Sequence, residues 1–303
     1  MDKVDVRRVV FYLLIAFGFS WSVALVIYMT GGIAGSLPVA PGSPITWAVP
    51  LLTVYMLGPA IGNIGARLLT GEGWKDLWLR PNFRQGWKYW LIAWILTPLM
   101  VLGGGLLYFF FDPQAFDLNA LNGGEIGGTA VTPSMMLINI GVAILISPLA
   151  NALPTLGEEF GWRAYLQPKL LPLGERKMYL LVGLIWGAWH WPVIWMGHNY
   201  PGYPVWGSLA MVWFAFVTGT FFGWATLRGG SVWPAVIGHG ALNGVANIWL
   251  LFLAGETNPL IGPVVVGVVG SIFFAITAGL IFFNARSEPA PQTAVQETQP
   301  GNL

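Results

Sequence analysis

Apolar residues fall along this chain in long runs separated by short polar connections, and eight of the runs are long enough to cross a membrane. About 20 helical residues span the roughly 30 Å of hydrocarbon in a bilayer. The runs are Val9 to Met29, Thr46 to Leu69, Tyr89 to Phe111, Met135 to Leu156, Met178 to Met196, Val205 to Leu227, Val232 to Ala254 and Pro259 to Asn284. They predict an all-α, polytopic bundle of eight transmembrane helices forming one domain over residues 1–286. The first run is too long for a signal peptide and is not followed by a small-residue cleavage site. From Ser287 to Leu303 the chain is rich in Pro, Gln, Thr and Glu and has too little apolar content to fold, so a disordered cytoplasmic tail is expected there.

The connections differ in charge. Lys3, Arg7 and Arg8 precede the first run, and Arg67, Lys75, Arg80, Arg84 and Lys88 lie around the second-to-third connection. Arg163, Lys169, Arg176 and Lys177 follow the fourth run, with Arg228 and Arg286 completing the set. The alternate connections, Gly31 to Ile45, Asp112 to Ser134, His198 to Pro204 and Gly255 to Asn258, contain no Lys or Arg. Every cation then lies on one side, which the positive-inside rule makes cytoplasmic, with both termini there. Gly73 to Arg80 is expected to lie flat at the interface with Trp74, Leu77 and Trp78 on one face. Asp112 to Ser134 reads as an external loop.

Composition strengthens this picture and narrows the chemistry. The chain is 55% hydrophobic and 9% charged with a mean hydropathy of +0.66, whereas soluble domains are about 25% charged. A net charge of +1 gives no reason to expect a nucleic acid partner; the bilayer itself is the partner implied. The absence of cysteine removes disulfides, thiolate metal sites and a cysteine nucleophile. Among 17 tryptophans, Trp47, Trp74, Trp78, Trp87, Trp90, Trp206 and Trp233 stand near the ends of runs, as in the aromatic belts of membrane proteins.

Against this apolar background the stretch Leu156-Gly157-Glu158-Glu159-Phe160-Gly161-Trp162-Arg163 stands out. An ionisable group at bilayer depth costs roughly 2.5–3.5 kcal/mol even on the lenient insertion scale, so an adjacent pair marks a candidate site. On a helix Glu159 and Arg163 share a face and can pair, while Glu158 points about 100° away. The plainer alternative is that both glutamates are solvated charges at the cytoplasmic end of a helix. Two more polar sites lie on separate runs: His190, four residues after Trp186, and His239 with Asn243, one helical turn apart on one face. Either histidine alone is as readily an interhelical hydrogen-bonding residue. His198, beside Asn199, Tyr200 and Pro201, reads as a surface residue of an external turn.

Glu158-Glu159-x-x-x-Arg163, then Trp186-x-x-x-His190, then His239-x-x-x-Asn243, in that order on successive membrane helices, closely resembles the CPBP family of CAAX proteases and bacteriocin-processing enzymes. These are type II CAAX prenyl endopeptidase-like intramembrane proteases with eight membrane helices. The resemblance covers roughly Met135 to Asn247, with the motifs within residues 156–247, and departs in one place: Trp186 stands where the family usually has Phe. It implies that Glu158, with His190, deprotonates a water for attack on a peptide carbonyl. It implies that His239 and Asn243 donate hydrogen bonds to the oxyanion, with Glu159 and Arg163 as a supporting clamp. The substrate would be a membrane-associated protein or peptide reached through a conical cavity open to the cytoplasm.

A catalytic zinc held by Glu158, His190 and His239 is the alternative within the protease reading. No His-Glu-x-x-His helix is present and Asn243 is a poor zinc ligand, so no cofactor is favoured. Outside it, a proton or ion transporter would use the same titratable groups as a relay, and a silent membrane scaffold is a further possibility. No internal repeat of broken helices favours transport.

Overall fold

The structure, a computed structural model, describes residues 4–117, 119–120, 124–126 and 129–286. The expected disordered tail, 287–303, lies outside the described residues. The fold is an all-α bundle, with one short antiparallel hairpin pairing Gly124–Ile126 with Thr129–Val131 in the connection read as a loop. Among the described residues, five helices are long and apolar enough to cross a membrane: Val6–Met29, Ala48–Thr70, Phe83–Phe111, Pro204–Gly229 and Trp233–Phe252. They coincide with five of the eight apolar runs.

The other three runs form helices broken at identifiable residues. Met135 to Leu156 divides into α5 (Pro133–Leu145), α6 (Ser147–Ala150) and α7 (Ala152–Gly161). Pro148 has no N–H for the preceding turn, so the helix is interrupted there. Met178 to Met196 becomes α9 (Glu175–Trp189) and α10 (Trp191–Trp195), separated at His190 just before Pro192. The last run supplies turns followed by α13 (Ile272–Asn284). The unbroken spans are α1 (Val6–Met29), α2 (Ala48–Tyr55) continuing into α3 (Gly58–Thr70), α4 (Phe83–Phe111), α11 (Pro204–Gly229) and α12 (Trp233–Val245) with a 3-10 turn after it. A short α8 (Gln167–Leu170) follows a π-helical turn at Trp162–Leu166.

The centre of the bundle is α11 and α12, held close to their neighbours by small residues. A Cβ on Gly183 or Gly187 of α9 would stand 2.6 or 2.5 Å from the Cα of Phe216 or Val212 on α11. A Cβ on Gly240 of α12 would stand 2.5 Å from the carbonyl oxygen of Pro148, and one on Gly244 would stand 2.4 Å from Ser147 Cβ. Backbones that approach this closely fix α6 against α12, and side-chain hydrogen bonds extend the contact to α7. Thr155 Oγ1 donates to Val236 O at 3.1 Å, and Asn151 Nδ2 donates to Ser147 O at 3.0 Å and Gly240 O at 3.4 Å.

Gly73 to Arg80 forms no helix, contrary to the expectation of an amphipathic segment. Trp78 adopts a left-handed φ of 58°, is buried against Val232 and Val236, and its carbonyl accepts from Val232 N–H at 2.9 Å. Its job is to plug the end of α12, while Trp74 stays exposed. The helical pattern fails because the chain's own tertiary partners outweigh a one-turn amphipathic stripe.

Candidate active site

Thr155 and Asn151, by holding α7 to α12, bring the two glutamates that follow into the bundle interior. Glu158 is 3% exposed, and Glu159 and Arg163 are 0% exposed, so neither glutamate is a solvated helix-end charge. Their roles diverge as the 100° offset requires. Glu158 Oε2 accepts a 2.8 Å hydrogen bond from the indole Nε1 of Trp186 on α9 and faces the cavity. Glu159 turns away and is shared: Arg163 Nη1 donates to its Oε1 at 3.2 Å, Arg163 Nε faces its Oε2 at 3.1 Å, and His239 Nδ1 meets Oε1 at 2.8 Å.

The Arg163 guanidinium also lies over the Trp186 ring, 4.3 Å from its centroid. Trp186 therefore touches both charges at once, through its N–H to Glu158 and its face to Arg163. A Phe at this position would keep the face and lose the donor. The departure from Phe is therefore also a hydrogen bond to the central carboxylate.

His190 occupies the break between α9 and α10, where helix carbonyls lack their usual partners. Its Nδ1 lies 2.8 Å from Trp186 O, and a carbonyl only accepts, so Nδ1 carries the proton and Nε2 the lone pair. The next free carbonyl, Trp189 O, takes hydrogen bonds from Tyr55 Oη and, at 3.1 Å, from Trp21 Nε1. Loss of the helix ladder at Pro192 is thus what lets α1 and α2 grip this end of α9. His239 is held in the same manner, with Nδ1 on Glu159 and its ring stacked on Phe222 at 5.9 Å. Among the described residues, Nε2 of neither histidine has a partner.

Glu158, His190, His239 and Asn243 all line one cavity of about 270 Å³. Glu159 and Arg163 support it from behind. The lining also includes residues that the sequence reading passed over. His198, read as a surface residue, is on the wall, as are Tyr55 and Asn199. Asn247 lines it too, and its signal was present: it continues the four-residue spacing of His239 and Asn243 along the same face. Tyr55 carried no such mark, sitting inside an apolar run. Among the described residues no group of three His, Asp or Glu side chains is disposed to hold a metal ion, so Glu158, His190 and His239 do not fit the zinc site considered for them.

The fold and site together define a polytopic membrane protein whose buried carboxylates and neighbouring histidines lie around a cavity of about 270 Å³. Residues 133–245, from the start of α5 to the end of α12, match the family model for type II CAAX prenyl endopeptidase Rce1-like proteins. That stretch is a CAAX-protease-like domain, and it holds Glu158, Glu159, Arg163, Trp186, His190, His239 and Asn243. No curated protein matches the chain by sequence.

Proposed function

We propose that this chain is an intramembrane endopeptidase that hydrolyses a peptide bond in a membrane-associated protein or peptide. One observation carries the reading: Glu158, His190, His239 and Asn243, from three separate segments of a protease-like domain, share the wall of one cavity. In a bilayer such groups are retained at a cost, and here they converge on a space that admits water. The same reading keeps eight membrane crossings, three of them through broken helices, with both termini on the Lys/Arg-rich side.

In this mechanism Glu158 and the lone pair of His190 Nε2 take the proton of a water held between them as its oxygen attacks the peptide carbonyl. The proton then passes to the leaving nitrogen, giving a carboxylic acid and an amine. Asn243 Nδ2 donates to the oxyanion. With Nδ1 already donating to Glu159, His239 can donate from Nε2 only when the ring carries both protons. The Glu159 carboxylate, 2.8 Å from Nδ1, fixes the orientation of that ring. Glu159 is then a positioning residue for His239, more than a clamp on Arg163.

The test is cleavage of a peptide pool by the purified, full-length protein in detergent, compared with Glu158→Gln. The isosteric amide still accepts from Trp186, so the variant should keep its thermal unfolding temperature while turnover falls about 10²–10⁴-fold. A transporter or scaffold predicts no difference between the two proteins, and that result would sink the proposal. Elemental analysis and exhaustive chelation belong to the same experiment, with activity expected to survive. One equivalent of zinc whose loss and return track cleavage would transfer the chemistry to the metal while keeping the protease.

A further inference from the structure

The cations outside the bundle interior mark one end of the bundle. Glu72 gathers Arg8 (3.7 Å), Lys169 and Tyr165 (3.0 Å), and Arg67 Nη1 donates to Asp76 Oδ1 at 2.9 Å. Burial pushes the Asp76 carboxyl up, but the Arg67 hydrogen bond and charge outweigh it and hold it below the usual range. At the same end Asn82 Nδ2 donates to Gly229 O at 2.9 Å, at the close of α11, and Arg176 caps α13 through Phe282 O and Phe283 O at 3.0 and 2.7 Å. These bonds tie the start of α1, the end of α3, the ends of α11 and α13 and the start of α9 into one cationic face.

The cavity lies away from that face. Its lining residues on α11, Phe214 and Met211, are 15 and 18 residues from Gly229, about 22 and 27 Å at 1.5 Å per residue. On α9, Trp186 and His190 are 11 and 15 residues from Glu175, about 16 and 22 Å. Exposure along α12 and the turn after it rises in the same direction, from His239 at 5% to Asn243 and Asn247, both exposed. Toward the cationic face the way is filled: Glu159, Arg163, Trp162 and Phe222 are all 0% exposed. The far rim is made by connections without Lys or Arg: His198 and Asn199 between α10 and α11, and Val265 and Val266 after α12. A 2.7 Å hydrogen bond from Tyr200 Oη to Val266 O joins the two rim segments.

We infer that the site opens at the cation-free end of the bundle, so that its peptide substrate arrives from the non-cytoplasmic half of the membrane across a neutral threshold of Asn247, His198 and Asn199. This is opposite to the cytoplasmic opening that the family resemblance implies. The substrate's identity as a peptide rests on the protease proposal; the position of the opening rests on depth and exposure, and its side of the membrane on the placement of Lys and Arg. The threshold carries amides and an imidazole and no Lys, Arg, Asp or Glu, so it is suited to the main-chain N–H and C=O groups of an extended peptide and selects no charged side chain.

The natural chain has no cysteine, which makes the opening directly readable. Asn247→Cys and His198→Cys, each in the full-length chain, are treated with a charged, membrane-impermeant maleimide in right-side-out and inside-out membrane vesicles, with Lys75→Cys as the marker of the cationic face. Both threshold cysteines should react at least tenfold faster in right-side-out vesicles, and Lys75→Cys at least tenfold faster in inside-out ones. Either threshold cysteine labelling from the same side as Lys75→Cys, or both resisting the reagent from both sides, would overturn the inference; the second position guards against a single variant that fails to fold. Labelling reads access and not hydrolysis. A chain that labels as expected but cleaves nothing would retire the protease and leave the opening where it is.

Discussion

Two regions of this bundle obey opposite rules. In α1 only 28% of the most apolar 18-residue window is buried, whereas in α11 and in the segment beginning with α12 the shares are 61% and 67%. The outer helix presents Leu14, Leu25 and Met29 to its surroundings, while the inner ones carry Thr218, Thr220, Thr226, Gly240 and His239 on buried faces. In water the apolar face would turn inward; in lipid, helices associate through close packing and hydrogen bonds, and the polar and small residues take the interior. A substitution therefore matters here in proportion to how polar or small the residue is, the reverse of a soluble core. Glu158→Gln, with its expected loss of two to four decades in turnover, is the largest effect this contrast predicts.

The next largest divides the adjacent glutamates. Sequence spacing alone makes Glu159 a partner of Arg163, so that Glu159→Gln would chiefly loosen a helix end. With His239 Nδ1 on the same carboxylate, the variant should also weaken the bond that orients the His239 ring. Turnover should fall about 10²-fold, the scale of a lost oxyanion donor, with a smaller change in KM. If Glu159→Gln instead lowers only the unfolding temperature and leaves kcat intact, the carboxylate is a clamp and His239 needs no help from it.

How much of this was legible follows the same division. The apolar runs were visible because lipid demands them, and the four cavity residues stood out because charge and imidazole are rare at that depth. The helix breaks at Pro148 and at His190 were less so, since continuous hydropathy hides a lost N–H inside an apolar run. Glu159's second partner was not legible at all: it depends on α7 and α12 meeting through Thr155 and Val236, and His239 lies 80 residues along the chain from Glu159. His198 was misplaced for a related reason, because a turn between helices reads as surface until Val266 and Tyr200 fold it over the cavity.

A pair of glycines measures the packing contrast without touching the chemistry. At Gly240 on α12 an added Cβ meets the Pro148 carbonyl oxygen at 2.5 Å, and backbone on both sides must move. At Gly18 on α1 the added atom meets nothing within 4 Å. Gly240→Ala should destabilise the protein by about 1–3 kcal/mol, the usual cost of overpacking, whereas Gly18→Ala should be neutral or stabilising by roughly 0.5–1 kcal/mol through the helix backbone. Thermal unfolding in one detergent checks both. Equal shifts would mean that the two helices are packed alike and that the inner–outer division is wrong.

The smallest effect on turnover is expected at Trp186, where this chain departs from the family it resembles. Trp186→Phe keeps an aromatic face over Arg163 but removes the Nε1 donor to Glu158 Oε2. Hydrogen bonds to charged groups are worth about 1.5–3 kcal/mol when both partners stay desolvated, but the smaller ring leaves space beside a cavity that already admits water, which can take the donor's place. A loss of about 1 kcal/mol is then expected, roughly a fivefold change in turnover, with the fold kept because the family's own aromatic fits there. The sign of the change distinguishes two uses of that bond. If Trp186 holds Glu158 aimed at the water, turnover falls and KM stays. If it restrains the carboxylate as a base by stabilising its charged form, turnover rises in Trp186→Phe, and the indole is a brake on Glu158 where it had been read as a guide.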